Sequence, residues 1–289
     1  MTSPTSPGDA SRLSWPDAWR SGSRPAWLAV VALFALLAVA VLGIGVFDLG
    51  TDTARATFLM AGSPIVALAA VLIHVRRSRG RPRGESLIRS AYLPELGEHA
   101  VLVPYARWIF VLYLAAMAYS ALLFGFLLLG GIARAVADGF GGESAVLLVL
   151  LGGLTGYTIW FLAEAARGRI RPGYVALSPS GVYHRSWALT GFFPWSGNIG
   201  ARAVHVQQPM IEFAMAANAS GEIVSTSPAW RQSERKLAPH LVIRANWLAV
   251  DPALLLAALR FYRENPAALP ELGGEAGAVR LREHRLPPS

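Results

Sequence analysis

Residue types that could do chemistry are few in this chain, and they are scattered. Six histidines occur, His74, His99, His184, His205, His240 and His284, and there is no cysteine. No two histidines stand four apart, and no His/Glu spacing matches a zinc site. Without cysteine, disulfides, thiolate nucleophiles and Cys-ligated zinc are excluded. Serines and aspartates are present, but no Gly-x-Ser-x-Gly elbow positions a nucleophile, and no Gly-rich loop cradles phosphate. His184 and His205 fall in strand-like segments and read as structural. These residues predict no catalytic, metal or cofactor-binding site, and no enzyme.

The elements that would position any site begin with long apolar runs. The 289 residues are 54% hydrophobic and only 15% charged, against roughly 25% charged in an ordinary soluble domain. Crossing the hydrocarbon core takes about 20 apolar residues. Four segments qualify: 27–47, 57–75, 108–132 and 145–163. The first lacks any charge and any Asn, Gln, Ser or Thr, and is too long for the roughly 7–15-residue core of a cleaved signal. The second is interrupted by Ser63-Pro64. Ionisable side chains deep in a span are functional by default; none occurs here, since His74 and Glu164 lie only at span ends. A small transporter or channel subunit, the first alternative function, would have to use Tyr113, Tyr119, Ser120, Thr155, Tyr157 and Thr158. A membrane enzyme acting on lipid, the second, would need converging acidic or His residues.

Orientation follows from arginine, which supplies 25 of the 26 basic residues behind a net charge of +8. Arg12, Arg20 and Arg24 precede the first span. Arg76, Arg77, Arg79, Arg81, Arg83, Arg89 and Arg107 lie between the second and third. The other two loops hold one each, Arg55 and Arg134, and Arg167, Arg169 and Arg171 follow the fourth span. The positive-inside rule then predicts a multi-pass protein of the cell membrane with both termini cytoplasmic.

Residues 1–26 read as a flexible cytoplasmic tail, 27–166 as a four-helix transmembrane domain with a cytoplasmic loop over 76–107, 167–273 as a soluble domain, and 274–289 as a second flexible tail. After Arg171 the pattern changes to short alternating segments. Tyr174–Leu177 and Val182–Trp187 flank Ser178-Pro179-Ser180-Gly181, whose chemistry suits a hairpin turn. Segments 203–206, 211–215, 223–224 and 241–245 are further strand candidates. Asp251-Pro252 suits a helix N-cap and first position, Leu255, Leu259 and Tyr262 line one face, and Pro266 ends the run.

These residues resemble the bacterial pleckstrin-homology-like (PH-like) domains attached to membrane spans. The resemblance rests on Leu177-Ser178-Pro179-Ser180-Gly181-Val182-Tyr183, on Phe193-Pro194-Trp195-Ser196 with Ile199, and on the helix from Asp251 through Phe261-Tyr262 to Pro266 with Leu272-Gly273 behind it. It covers residues 168–273. The family pattern has its Ile three residues after the Trp; here the spacing is four, and an inserted residue suggests a bulge. The resemblance implies an α+β domain, a partly open barrel of about seven strands capped by a C-terminal helix, serving interaction or membrane association without catalysis.

The expected function is therefore a non-catalytic membrane protein whose cytoplasmic domain meets a protein partner or the membrane surface. Its partners are the lipid bilayer, anionic headgroups and an unidentified protein, with no nucleic acid. Candidate headgroup contacts are Arg76, Arg77, Arg79, Arg81 and Arg83, and the basic stretch Arg231, Arg235 and Lys236 beside Trp230. Gly152 and Gly156 have the small-residue spacing that lets helix backbones approach. A pentapeptide, Leu93-Pro94-Glu95-Leu96-Gly97, recurs as Leu269-Pro270-Glu271-Leu272-Gly273.

Overall fold

The structure is a computed structural model. It describes residues 13–20, 24–51, 53–78, 84–139, 141–206, 208–217, 219, 221–227 and 240–286. The chain divides into two compact units: one of Met1–Gly22, Arg79–Arg107 and Arg171–Ser289, the other of Ser23–Ser78 and Trp108–Ile170.

The second unit is helical. Its helices are α2 (Arg24–Phe47), α3 (Thr53–Ser78), α4 (Arg107–Asp138) and α5 (Gly142–Ala166); the short α1 (Asp17–Arg20) belongs to the other unit. Segments Leu28–Gly50, Arg107–Ala137 and Ser144–Ala166 are long and apolar enough to cross a membrane, and α3 contains a shorter apolar stretch, Ala56–Leu68. Pro64 sits inside α3 without ending it. Proline lacks the N–H that would bond the carbonyl four residues back, here Met60. The Ser63 hydroxyl donates to that carbonyl instead, at 3.1 Å, and the next carbonyl, Ala61 O, accepts from Tyr119 on α4. Neighbouring side chains thus satisfy the backbone that proline opens.

The other unit is built from strands. A six-stranded antiparallel sheet runs in the order β1 (Arg89–Leu93), β2 (Glu98–Pro104), β3 (Tyr174–Leu177), β4 (Gly181–Arg185), β5 (Leu189–Pro194), β8 (Glu222–Ser225). A second antiparallel sheet holds β6 (Asn198–Val206), β7 (Gln208–Met215) and β9 (Leu241–Arg244). Side chains alternate faces along each strand, so the register defines two rows in the core: Val101, Leu177, Val182 and Phe193, then Val103, Val175, His184 and Gly191. The Val, Leu, Phe and His side chains of these rows are at most 1% exposed. A Cβ at Gly191 would come within 2.8 Å of the Phe193 ring, so glycine makes room for that aromatic.

The segment expected as a cytoplasmic loop, 76–107, therefore contains a β-hairpin that adds two strands to a sheet whose remaining strands begin some 70 residues later. The tail expected at 274–289 is also structured: α7 (Glu275–Arg282) buries Ala278 and Leu281 and packs on β1 and β2. Part of the expected N-terminal tail is likewise docked. Trp19 is 6% exposed, and its indole N–H donates to the carbonyls of Val204 (3.2 Å) and Met210 (3.0 Å).

Several local features of the C-terminal part follow the expectations. The Asp251 carboxylate caps α6 (Pro252–Glu264) by accepting from Ala253 N–H at 2.9 Å, and Leu255, Leu259 and Tyr262 are buried. Helix α6 packs against β6 and β7. In the 178–181 turn, Ser178 Oγ bonds both the N–H and the carbonyl of Gly181, and the Trp195 indole donates to Ser178 O at 2.8 Å. The register breaks between Asn198 and Gly200, leaving Ile199 unpaired and exposed: a β-bulge at the position where the Trp-to-Ile spacing is one residue long.

Candidate functional site

The residues expected to face lipid are only partly described. Arg76 and Arg77 end α3, while Arg79, Arg81, Arg83, Arg231, Arg235 and Lys236 lie outside the described residues. Gly152 and Gly156 lie on α5, and among the described residues no atom outside their own helix backbone and chain neighbours stands within 4 Å of a Cβ built on either. Close approaches come from glycines the spacing did not single out. Gly45 on α2 stands against Met60 and Ala56 of α3, and Gly131 and Gly125 on α4 meet Leu148 and Thr155 of α5. The distinguishing signal was opposition across a short hairpin, which a within-helix spacing does not encode.

The polar groups of the helical unit are mostly satisfied locally. Thr158 Oγ1 donates to Leu154 O and Thr155 O within its own helix, and Tyr119 caps Ala61 O. Ser120, Thr155 and Thr158 are buried, whereas Tyr157 is exposed. Glu164, at the C-terminal end of α5, is 3% exposed and is joined by Arg169 at 3.2 Å and Arg167 at 3.6 Å. Arginines beyond the helix end offset a carboxylate placed at the negative pole of the helix dipole.

In the sheet unit a cluster of aromatic and basic side chains surrounds His184. Its Nε2 stands 2.7 Å from the Tyr105 hydroxyl. Trp187 stacks on Trp247 at 4.5 Å, Tyr105 meets Trp247 edge-on, and the Arg244 guanidinium lies 4.1 Å over the Trp247 ring. The approach of Tyr105 requires Gly173, where a Cβ would fall 2.5 Å from the tyrosine ring. Burial, with the Arg244 cation nearby, pushes the His184 pKa down to about 3, so the ring is neutral at physiological pH. Sealed from water, it is suited to fixing Tyr105 rather than to exchanging protons. His205 lies in β6, and neither histidine joins a metal cluster: among the described residues, no three His, Asp or Glu converge.

A second network closes the C-terminal end. Glu271 accepts from Tyr262 Oη at 2.7 Å and from Arg280 through Nε (2.5 Å) and Nη2 (3.0 Å), while Arg280 also lies 4.9 Å over Phe261. Burial alone would raise the Glu271 pKa, but the hydrogen bonds from Arg280 and Tyr262 outweigh it and hold it below the usual carboxylate value. The two pentapeptide copies share no conformation. The first forms the β1–β2 turn, with Gly97 at φ 69°, and the second lies in a 3₁₀ segment, Pro266–Gly273.

No family model, curated protein or solved structure matches this chain.

Proposed function

We propose that the chain is a non-catalytic, four-span protein of the cell membrane whose cytoplasmic PH-like domain mediates contact with a protein partner or with the membrane surface. The composite sheet unit carries the reading. Its three segments precede α2, lie between α3 and α4, and follow α5. A single folded domain occupies one side of a bilayer, so the chain must return to that side after α2–α3 and again after α4–α5. Helices α2, α4 and α5 are long and apolar enough to cross. The return within the first pair then falls to α3, whose 26 residues extend about 39 Å at 1.5 Å per residue, against a core of roughly 30 Å. The arginine bias makes the domain's side cytoplasmic.

The PH-like assignment draws support from the succession β3 to β9, seven strands among the described residues in two antiparallel sheets, followed by α6 packed on β6 and β7. Headgroup contact through the arginines after α3 and through Arg231, Arg235 and Lys236 is part of the proposal. Reporter fusions at Ser144 and Ser289 test the topology: an external signal at the first and a cytoplasmic one at the second are expected, and the reverse at either site removes the four-span reading. Salt-weakened binding of the solubilised protein to anionic but not neutral vesicles is the expected mark of headgroup contact. Binding indifferent to both would leave a protein partner as the domain's role.

A further inference from the structure

An antiparallel sheet with one solvated face ordinarily carries polar side chains there. The outer face of the six-stranded sheet carries them only around its margin, at Arg89, Glu98, Arg185, Thr190 and Glu222, about an apolar centre. Its apolar cluster comprises Leu93, Ala100, Ala176 and Tyr183, with Leu96, Leu102, Tyr174 and Phe192 packed against it. Every member comes from β1 to β5 or the β1–β2 turn, so the cluster is formed by the sheet face itself. The central row across this face reads Arg89, Leu102, Ala176, Tyr183, Phe192, Glu222 through five successive register pairs. Its interior is apolar, and its ends carry opposite charges. Arg89 and Glu222 are both exposed, and neither has an ion-pair partner among the described residues.

Such a row is complementary to itself. A twofold axis parallel to the strands, passing between Ala176 and Tyr183, sets Leu102 against Phe192 of a second copy and Arg89 against its Glu222, and then repeats both contacts reciprocally. That is the requirement of an isologous interface. An anionic surface would be drawn to Arg89 and repelled by Glu222, whereas a second copy satisfies both. We propose that this face is a homodimer interface, with two sheets packed face to face at the usual separation of about 10 Å and closed at each side by an Arg89–Glu222 pair. Five strand spacings of about 4.8 Å by a strand length of about 17 Å give roughly 400 Å² per copy, or about 800 Å² in all. A stable soluble complex buries about 1,200–2,000 Å². The association therefore depends on the confinement of both copies to one bilayer, which raises their effective concentration. To that extent the inference rests on the membrane reading above.

The test is energy transfer between full-length copies carrying donor or acceptor fluorescent proteins at the C-terminus, measured in the membrane. Wild-type pairs should transfer above the level of an unrelated membrane protein at equal density. Arg89→Glu copies alone, and Glu222→Arg copies alone, should associate about tenfold less or worse, because each exchanges two reciprocal attractions for two repulsions. Mixed Arg89→Glu and Glu222→Arg copies should recover the wild-type level, because each then offers the charge the other lacks; a misfolded variant could not recover. Absence of transfer in the wild type, insensitivity to either reversal, or failure of the mixed pair to recover would each overturn the proposal. A correct reporter pattern at Ser144 and Ser289 with no transfer would reject self-association and leave the four-span reading standing.

Discussion

Excising the C-terminal part, residues 171–289, should yield a chain that does not fold. The fragment lacks β1 and β2, and with them Leu93, Val101 and Val103, which are 5%, 0% and 0% exposed in the intact unit. Full burial of a Val or Leu side chain stabilises by about 1.5–3 kcal/mol. Three such residues therefore supply about 5–9 kcal/mol, comparable to the roughly 5–15 kcal/mol that holds a whole domain folded. The loss also uncovers the flank of β3, including Val175 and Leu177, and removes Tyr105 from His184. Circular dichroism and amide dispersion should report a disordered or molten 171–289 fragment. Restoring residues 86–106 ahead of it through a short Gly/Ser linker should return cooperative unfolding; the linker can be short because Tyr105 N–H already bonds Gly173 O at 3.0 Å. A cooperative, well-dispersed fragment without the hairpin would refute the view that the hairpin is integral to the domain.

Tyr262→Phe removes a hydrogen bond to an ionised carboxylate and should cost about 1.5–3 kcal/mol, read as a lowered thermal midpoint of the full-length protein; no change would mean that Arg280 alone satisfies Glu271. Leu259→Asp buries a charge among apolar side chains and should abolish folding of the sheet unit, visible as loss of protease resistance. His184, depressed to about 3 from 6.5, gives a pH dependence of definite sign. Between pH 6.5 and about 3 the unfolded chain takes up a proton on this residue that the folded chain does not, so stability is independent of it above that window and is lost as pH falls through it, at up to about 1.4 kcal/mol per pH unit. His184→Gln should flatten that slope between pH 6.5 and 4.5, and an unchanged slope would assign it to other groups. Trp19→Ala should expose the β6–β7 hairpin to proteolysis, and equal cleavage rates would show that the N-terminal contact is dispensable.

Much of this was legible in the residues, for reasons that are local. The apolar runs announce their helices, Asp251-Pro252 announces a cap, the Ser178–Gly181 turn announces a hairpin, and the extra residue between Trp195 and Ile199 announces a bulge. What stayed hidden was long-range. The β1–β2 hairpin has turn chemistry in Leu93–Gly97 and alternation in Ala100–Val103, but it lies between two apolar helices in an Arg-rich stretch that reads as a topology signal. Its apolar face has value only beside β3, some 70 residues on. Trp19 and α7 were hidden for the same reason: isolated apolar residues in polar segments declare burial only when the surface they meet is known. Strand β5 was missed because Gly191 and Pro194 interrupt its pattern; Gly191 is there to admit the Phe193 ring. At the proposed interface, Arg89 looked like part of an orientation signal, and Glu222 had no apparent context until the register placed both on one row.

One compact sheet unit is assembled from segments on either side of two helical pairs. Leu102 and Ala176 are register partners across β2 and β3, and directly opposed antiparallel residues have Cα atoms about 4.5–5.5 Å apart, inside the Cα separation of about 4.4–6.8 Å that a disulfide spans. The native chain has no cysteine, so a Leu102→Cys/Ala176→Cys variant contains only that pair. With a protease site inserted at Gly141, between α4 and α5, membranes should be oxidised, cleaved and resolved without reductant. The two halves should migrate as one species and separate on reduction. Halves that separate without reductant, despite both cysteines being reactive, would place β2 and β3 apart and contradict the composite domain.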